Sequence, residues 1–361
     1  MLLYHNEIQK TIPRFFSITN DGGTGSIFDE VGDKEECKSS AGVARFPKMT
    51  DDYEKIISAD KDDDLDSVST GLPNLDRAIG SVRGFPVGRV TLLTGRYSTG
   101  KTSLALFALA QAQQKGMDCL WIDTEMAFDK QHAQMCGVDT SKLKLMRQTR
   151  DAEKVFDTVE RYLAGNETEK VKPHKNCFVV LDSYGGLSIR EEVESDSSKK
   201  DFGAKTKLLA RFFRKIKTSL HQYKSTLVVM GHEYKSMTMP PYMILVGGDA
   251  MEKTPSLWID LKKKSGSYLK RGDERVGEVI TATVKKNKIG GIRYAEVDLQ
   301  FVFGEGWNPV ADILADAMDR EIITRTGNTF FVLGEKIGTR SKLDEWFKVA
   351  ENADKIRSLL V

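Results

Sequence analysis

Gly95-Arg96-Tyr97-Ser98-Thr99-Gly100-Lys101-Thr102 is the stretch on which the fold turns. It fits the spacing G-x-x-x-x-G-K-[ST] and lies between the β-rich run Arg89-Val90-Thr91-Leu92-Leu93-Thr94 and a helix-period stretch, Thr102 to Gln114. In that stretch Leu104, Phe107, Ala108 and Gln111 recur at offsets of three and four. Strand, glycine loop and helix in this order form an anion cradle. The glycines let the backbone curl until successive N–H groups face a phosphate, and the helix N-terminus adds its positive end. Lys101 is then expected to reach the β and γ phosphates, and Thr102 to offer its hydroxyl to Mg²⁺. The candidate nucleotide-binding set is Gly95, Arg96, Tyr97, Ser98, Thr99, Gly100, Lys101, Thr102 and the adjoining Ser103.

Outward from the loop, short apolar runs recur at Cys119–Asp123, Phe178–Asp182 and Thr226–Met230, with helix-period stretches between them. Runs buried on both faces that alternate with helices predict an α/β protein with a mostly parallel sheet flanked by helices. Val279–Val284 and Ala295–Phe303 are expected to add strands at one side. Leu209, Phe212, Phe213, Ile216 and Leu220 make one stripe of a helix whose other faces are basic. Phosphoryl transfer also needs a carboxylate for the metal's water shell and a group to orient the attacking water. Asp182 ends its strand where the first is wanted, and Glu125 follows Trp121-Ile122-Asp123-Thr124 where the second is wanted. That order of glutamate and aspartate separates the pattern from GTPases and kinases.

The 361 residues are 40% hydrophobic and 29% charged, with no run approaching the roughly 18 apolar residues of a membrane span. Cys37, Cys119, Cys136 and Cys177 have neither metal-ligand nor disulfide-framework spacing, so they are expected to be reduced thiols in a cytoplasmic setting. The net charge of +2 is segregated: Asp29 to Asp66 holds thirteen acids against six bases, a local −7 that leaves +9 for the rest. A basic body can attract nucleic acid, although a charge run is also ordinary solvated surface. Three regions are expected. Residues 1–66 form an acidic, glycine-rich arm with one apolar anchor, Ile12 to Ile18; residues 67–303 form the core; residues 304–361 form a small α+β domain. In that last region Pro309–Arg320 reads as a helix, Thr324–Leu333 as a hairpin turning at Gly327-Asn328, and Ser341–Leu360 as a further helix.

Further motifs carry a resemblance. Ser67-Val68-Ser69-Thr70-Gly71-Leu72-Pro73-Asn74-Leu75-Asp76, Ile122 to Asp129, Lys286-Asn287-Lys288-Ile289, Phe303-Gly304-Glu305-Gly306-Trp307-Asn308 and Gly334-Glu335-Lys336-Ile337-Gly338 occur in the order found in the RecA recombinase family. The chain resembles that family, including its phage UvsX branch, from about Asp66 to its end. The resemblance implies a DNA-dependent ATPase, with ATP and Mg²⁺ as cofactors and Thr102 and Asp182 at the metal. Glu125 would activate water, with Lys101 at the phosphates, and Asp129 and His132 would border the adenine. His232 would sense the γ-phosphate, or Glu233 with a one-residue offset. Lys286 and Lys288 would reach the nucleotide of a neighbouring subunit; as residues flanking one position of a strand they are expected to share a face.

Two loops would hold single-stranded DNA by implication of the same resemblance: the first from Arg190 to Asp201, with Lys199 and Lys200, and the second from Glu233 to Asp249. The second carries Lys235, Met237, Met239, Tyr242, Met243 and Ile244, apolar enough to wedge between bases, and ends near Gly247 and Gly248. The partners implied are single-stranded DNA, homologous duplex DNA and further copies of this chain in a helical filament, with a single-strand-binding protein and a loader besides, and no membrane. Residues 1–66 do not resemble the family's usual amino-terminal helix and strand, and the acids near Asp62 are expected to supply some of the screening that bacterial relatives draw from an acidic tail. Two alternatives stay open on the residues alone: a hexameric helicase motor, and an ATP-switched mediator or scaffold.

Overall fold

The computed structural model describes residues 65–147, 149–165, 173–189, 202–235, 243–245, 247–347 and 349–360. The arm up to residue 64 lies outside the described residues, as do Arg190, Lys199, Lys200, Met237, Met239 and Tyr242 and the side chains of Lys235, Met243 and Ile244.

The chain opens with β1 (Ser67–Val68), α1 (Pro73–Ile79) and β2 (Phe85–Pro86). Then come β3 (Val90–Gly95), α2 (Lys101–Gln114), β4 (Asp118–Asp123), α3 (Lys130–Met135), β5 (Leu143–Met146), α4 (Ala152–Ala164) and β6 (Cys177–Asp182). They are followed by α5 (Phe202–Gln222), β7 (Thr226–Met230), β8 (Glu233–Lys235), β9 (Met243–Leu245) and α6 (Gly248–Lys253). Next are β10 (Leu257–Arg271), β11 (Glu274–Asn287), β12 (Glu296–Val302) and β13 (Gly306–Trp307). The last elements are α7 (Pro309–Asp319), β14 (Ile323–Thr326), β15 (Thr329–Val332), β16 (Glu335–Gly338), α8 (Arg340–Phe347) and α9 (Ala350–Leu360).

Nine strands form the central sheet in the order β13-β12-β11-β10-β3-β7-β6-β4-β5. Its five pairings from β10 to β5 are parallel, and the three from β10 to β13 are antiparallel. The apolar runs read as strands because both sheet faces are covered, so each alternate residue still meets a core. Phe178, Val180, Val228 and Met230 face one layer with α2, while Val179, Leu181, Leu227 and Val229 face the other with α4 and α5. The stripe Leu209, Phe212, Phe213, Ile216 and Leu220 is buried in this second layer, which accounts for the basic helix as a core helix with a solvated back.

The sheet is wider than its sequence pattern indicates. β10 was not legible in full because it leaves β3 after Leu261 and continues only as a ribbon with β11, with Lys262, Lys263 and Lys264 in water. The last region has its own core, in which Ile313, Leu314 and Ala317 of α7 meet Phe330, Leu343, Phe347 and Ile356. Asn308 caps α7, accepting from Ala311 N at 3.1 Å, and Pro309 occupies its first turn. Ser341–Leu360 is not one helix: α8 ends at Phe347, and Asn352 Nδ2 donates to the Trp346 carbonyl at 2.9 Å. The break lets both pieces pack into the one small core. Arg77 ties α1 to α7, its Nε 2.8 Å from Asp316 Oδ1 and its Nη2 2.6 Å from Asp319 Oδ2.

Candidate nucleotide-binding site

Because β3, β7, β6 and β4 are parallel, their carboxyl ends lie along one edge of the sheet. This is the edge at which open α/β sheets receive ligands. Gly95 ends β3, Asp182 ends β6, Glu125 follows β4 by two residues and His232 follows β7 by two.

The loop after β3 takes the cradle shape for local reasons. Gly95 has φ +144°, and a Cβ there would stand 2.4 Å from the Leu261 carbonyl oxygen. Gly100 has φ +81°, and its Cβ would stand 2.5 Å from Trp307 Cζ2. Among the described residues no side chain caps the N-terminus of α2, which leaves its first N–H groups to an anion. Lys101 is folded back over the loop, donating to the carbonyls of Gly95 at 3.0 Å and Arg96 at 2.9 Å. Burial lowers its affinity for a proton, while the nearby carboxylates of Asp182, Glu125 and Asp260 act against that.

Thr102 Oγ1 donates to Asp182 Oδ2 at 3.2 Å. Burial, and then the charge of Glu125, push the Asp182 carboxyl up to about 6. A buried carboxyl with a raised pKa beside a hydroxyl suits a hydrated cation, whose charge would hold it ionised. Glu125 is aimed by the turn after β4: Asp123 accepts from Ala127 N and Phe128 N, each at 3.0 Å, and Met126 takes φ +59°. Glu125 Oε1 accepts from Ser183 Oγ and lies 3.0 Å from His232 Nε2. The His232 hydrogen bond outweighs the cost of burial and, with Ser183, holds the Glu125 carboxyl down at about 2. The His232 ring stacks on Tyr97, with centroids 4.8 Å apart.

A cavity of about 380 Å³ connects these groups, lined by the loop from Tyr97 to Ser103 and by Glu125, His132, Asp182 and His232. His132 Nε2 lies 2.9 Å from Ser103 Oγ. Asp129 caps α3, its Oδ1 accepting from Gln131 N at 2.7 Å and His132 N at 3.3 Å. Sequence reasoning missed Ser183, which holds Glu125, and the wall made by Lys263, Glu278, Phe301 and Phe303. No local signal marks that wall, because distant strand pairing brings it to the loop. Ser183 stands next to Asp182 and was within reach of a closer reading.

Lys286 and Lys288 are not in this cavity. Lys286 pairs with Trp258, which pairs with Leu92, and Lys288 N donates to Ser256 O while Ser256 N donates to Val90 O. Lys288 therefore sits at the start of β3, at the edge opposite Gly95, and Lys286 is level with the middle of β3. β11 ends at Asn287, so Lys288 falls past the strand and the shared-face argument does not reach it. Lys286 Nζ donates to the carbonyls of Glu252 and Lys253 at the end of α6, at 2.5 and 2.9 Å. Burial, followed by the charges of Lys288, Lys217 and Arg293, lowers its pKa to about 8.

β8 and β9 pair antiparallel, with Glu233 opposite Leu245, which closes the base of the second candidate loop. Gly247 starts α6 at φ +94°, where a Cβ would stand 2.5 Å from Met251 Cγ. That requirement for glycine is structural. Gly248, at φ +52°, has open space around it.

Fold and site together define a doubly wound α/β protein with an anion-cradling loop at the carboxyl edge of its sheet. The model of the RecA N-terminal domain matches residues 52–308. The chain is 31% identical over 285 residues to Protein RecA of Deinococcus radiodurans, covering 78% of this chain and 75% of that one. It is 31% identical over 278 residues to Protein RecA of Sulfurimonas denitrificans, covering 76% of each, and 29% identical over 276 residues to that of Fusobacterium nucleatum, covering 76% and 70%. The chain belongs to the RecA family.

Proposed function

We propose that this chain is a recombinase dependent on ATP and single-stranded DNA, which forms helical filaments, pairs its strand with homologous duplex and exchanges strands. The observation that carries the reading is the division of the candidate site between two edges of one sheet. The loop, Glu125, Asp182 and His232 occupy the carboxyl edge, while Lys288 stands at the other and Lys286, level with the middle of β3, gives its ammonium to the end of α6. A lysine pair outside its own cavity would serve that of the next copy, so a nucleotide would lie between copies and couple its cleavage to their association.

The residues present fit ATP and Mg²⁺: an uncapped helix start, a loop whose lysine is folded over it, and a hydroxyl beside a buried carboxyl. Residues 95–103 would hold the phosphates, and Thr102 and Asp182 the metal, whose charge would stabilise the transferred phosphoryl group. Glu125 would take the proton of the attacking water. His232 restrains it: a carboxylate held at about 2 is ionised but a poor base, and its basicity rises when the imidazole turns to another partner. His232 is thus suited to report the γ-phosphate and, being joined to Glu233, to pass that report to the 233–249 segment.

DNA would be held through backbone charge and stacking by residues 190–201 and 233–249, without base-edge readout. The test is ATP turnover with and without single-stranded DNA, followed by negative-stain imaging with a non-hydrolysable ATP analogue. Helical filaments and DNA-stimulated turnover support the recombinase. Closed rings support a helicase motor, and neither rings nor filaments supports a switched scaffold.

A further inference from the structure

β10 and β11 pair with Ile259 opposite Val284 and Trp258 opposite Lys286, which leaves Lys285 as the extra residue of a β-bulge. Successive strand residues normally face opposite ways, and a bulge re-aims one of them. Val284 packs in the core layer that holds Ile259, whereas the Lys285 ammonium lies 4.8 Å from the centre of the Trp258 ring, on the side of the other layer. Lys286, opposite Trp258, faces the same side.

On that face Lys285 Nζ donates to Glu233 Oε1 at 2.6 Å and lies 3.3 Å from Asp260 Oδ2. The Glu233 side chain is 5% exposed, Asp260 is fully buried and Lys285 is 22% exposed. Asp260 Oδ1 accepts from Thr94 Oγ1 at 2.7 Å, and the same hydroxyl accepts from Trp258 Nε1 at 2.7 Å. Thr94 immediately precedes Gly95 and the loop; Glu233 immediately follows His232. A continuous line of contacts therefore runs from the base of the loop through Asp260, Lys285 and Glu233 to His232 and Glu125.

The Lys285 ammonium bridges two buried carboxylates, but Asp260 Oδ2 also lies 3.2 Å from Lys262 Nζ, so loss of Lys285 falls chiefly on Glu233, whose buried charge then loses this cation. Glu233 is thereby pinned to β10 and β11, and the backbone that carries His232 is pinned with it. Lys285 itself takes no part in lining the cavity. We propose that Lys285 is a positioning residue for hydrolysis, which holds Glu233 and so fixes the backbone from which His232 reaches Glu125. The inference rests on the ATPase reading above.

The test is Lys285→Met in the full-length protein, which keeps the length of the side chain and removes its charge. DNA-stimulated turnover at saturating ATP should fall about tenfold, because a displaced His232 no longer reports the γ-phosphate, while the Kd for a fluorescent ATP analogue stays within about twofold. In a His232→Ala background the same change should cost less than about twofold, since Lys285 acts through that histidine. Lys285→Arg should remain within about threefold of wild type. If Lys285→Met fails to fold, the double substitution Lys285→Met with Glu233→Gln removes the carboxylate that loses its cation and must show the same loss of turnover. Unchanged turnover in the charge-free variant, a Kd that weakens in parallel, or a full tenfold loss in the His232→Ala background overturns the inference while leaving the ATPase reading intact. A wild-type chain that binds ATP but never hydrolyses it overturns both.

Discussion

His232 Nε2 stands 3.0 Å from Glu125 Oε1, the oxygen that also accepts from Ser183 Oγ. The carboxylate proposed to activate water is therefore held by two neighbours, and the larger hold comes from a residue that follows a different strand. The arrangement resembles a restrained base. Its strength as a base depends on where His232 goes, and His232 adjoins the segment proposed to meet DNA.

Glu125→Gln keeps the side chain's shape and removes its basicity. It should bind ATP and single-stranded DNA as wild type does, yet lose turnover by about 10²–10⁴-fold. Phosphate release beside binding of a fluorescent ATP analogue checks this; full activity would discard the assignment.

Lys286→Ala should leave nucleotide affinity at low protein concentration unchanged and abolish most DNA-stimulated hydrolysis together with filament cohesion. The α6 carbonyls it releases can take water instead. Sedimentation with nucleotide and oligonucleotide reads the outcome, and a loss confined to monomer affinity would contradict a role at the neighbouring site.

Gly100→Ala adds a Cβ 2.5 Å from Trp307 Cζ2 at a residue with φ +81°. Strain and overpacking together should cost about 1–3 kcal/mol. Thermal melting should fall by several degrees, and nucleotide binding should weaken more than it does for Gly248→Ala, where the added Cβ meets open space.

Asp312 supplies a pH test away from the cavity. Burial, then the charges of Asp76 and Asp316, push its carboxyl up to about 7 from 3.8, against a backbone hydrogen bond from Asn74. The folded state therefore favours the protonated form. Ionisation destabilises the fold progressively as pH rises from about 4, with the full penalty present above about 7. Asp312→Asn avoids that penalty and can still accept from Asn74 N. It should melt several degrees higher than wild type at pH 8, with the gap closing toward pH 4. A gap that does not change with pH would refute the assignment.

Much of the site was legible because its parts are local. The spacing from Gly95 to Thr102 sets loop and helix together, and Glu125, Asp182 and His232 each sit at or just past a strand end that hydrophobic runs mark. Other parts depend on pairing between residues far apart in the chain. Lys263, Phe301 and Phe303 reach the cavity only because β10, β11 and β12 add to the sheet beyond β3. Asp129 carries a motif resemblance, and its Oδ1 caps α3, a local contact that the spacing to Gln131 and His132 sets.

From its sequence alone this protein had its α/β class, its cradle and its carboxylates, since periodicity and short spacings act within a few residues of chain. Tertiary structure decided what lies across the sheet. It kept Lys286 out of the cavity, with its ammonium on the carbonyls at the end of α6, and it brought Lys285 beside Glu233 at a bulge in β11. Strand register is a relation between two distant segments, so neither segment read by itself contains it.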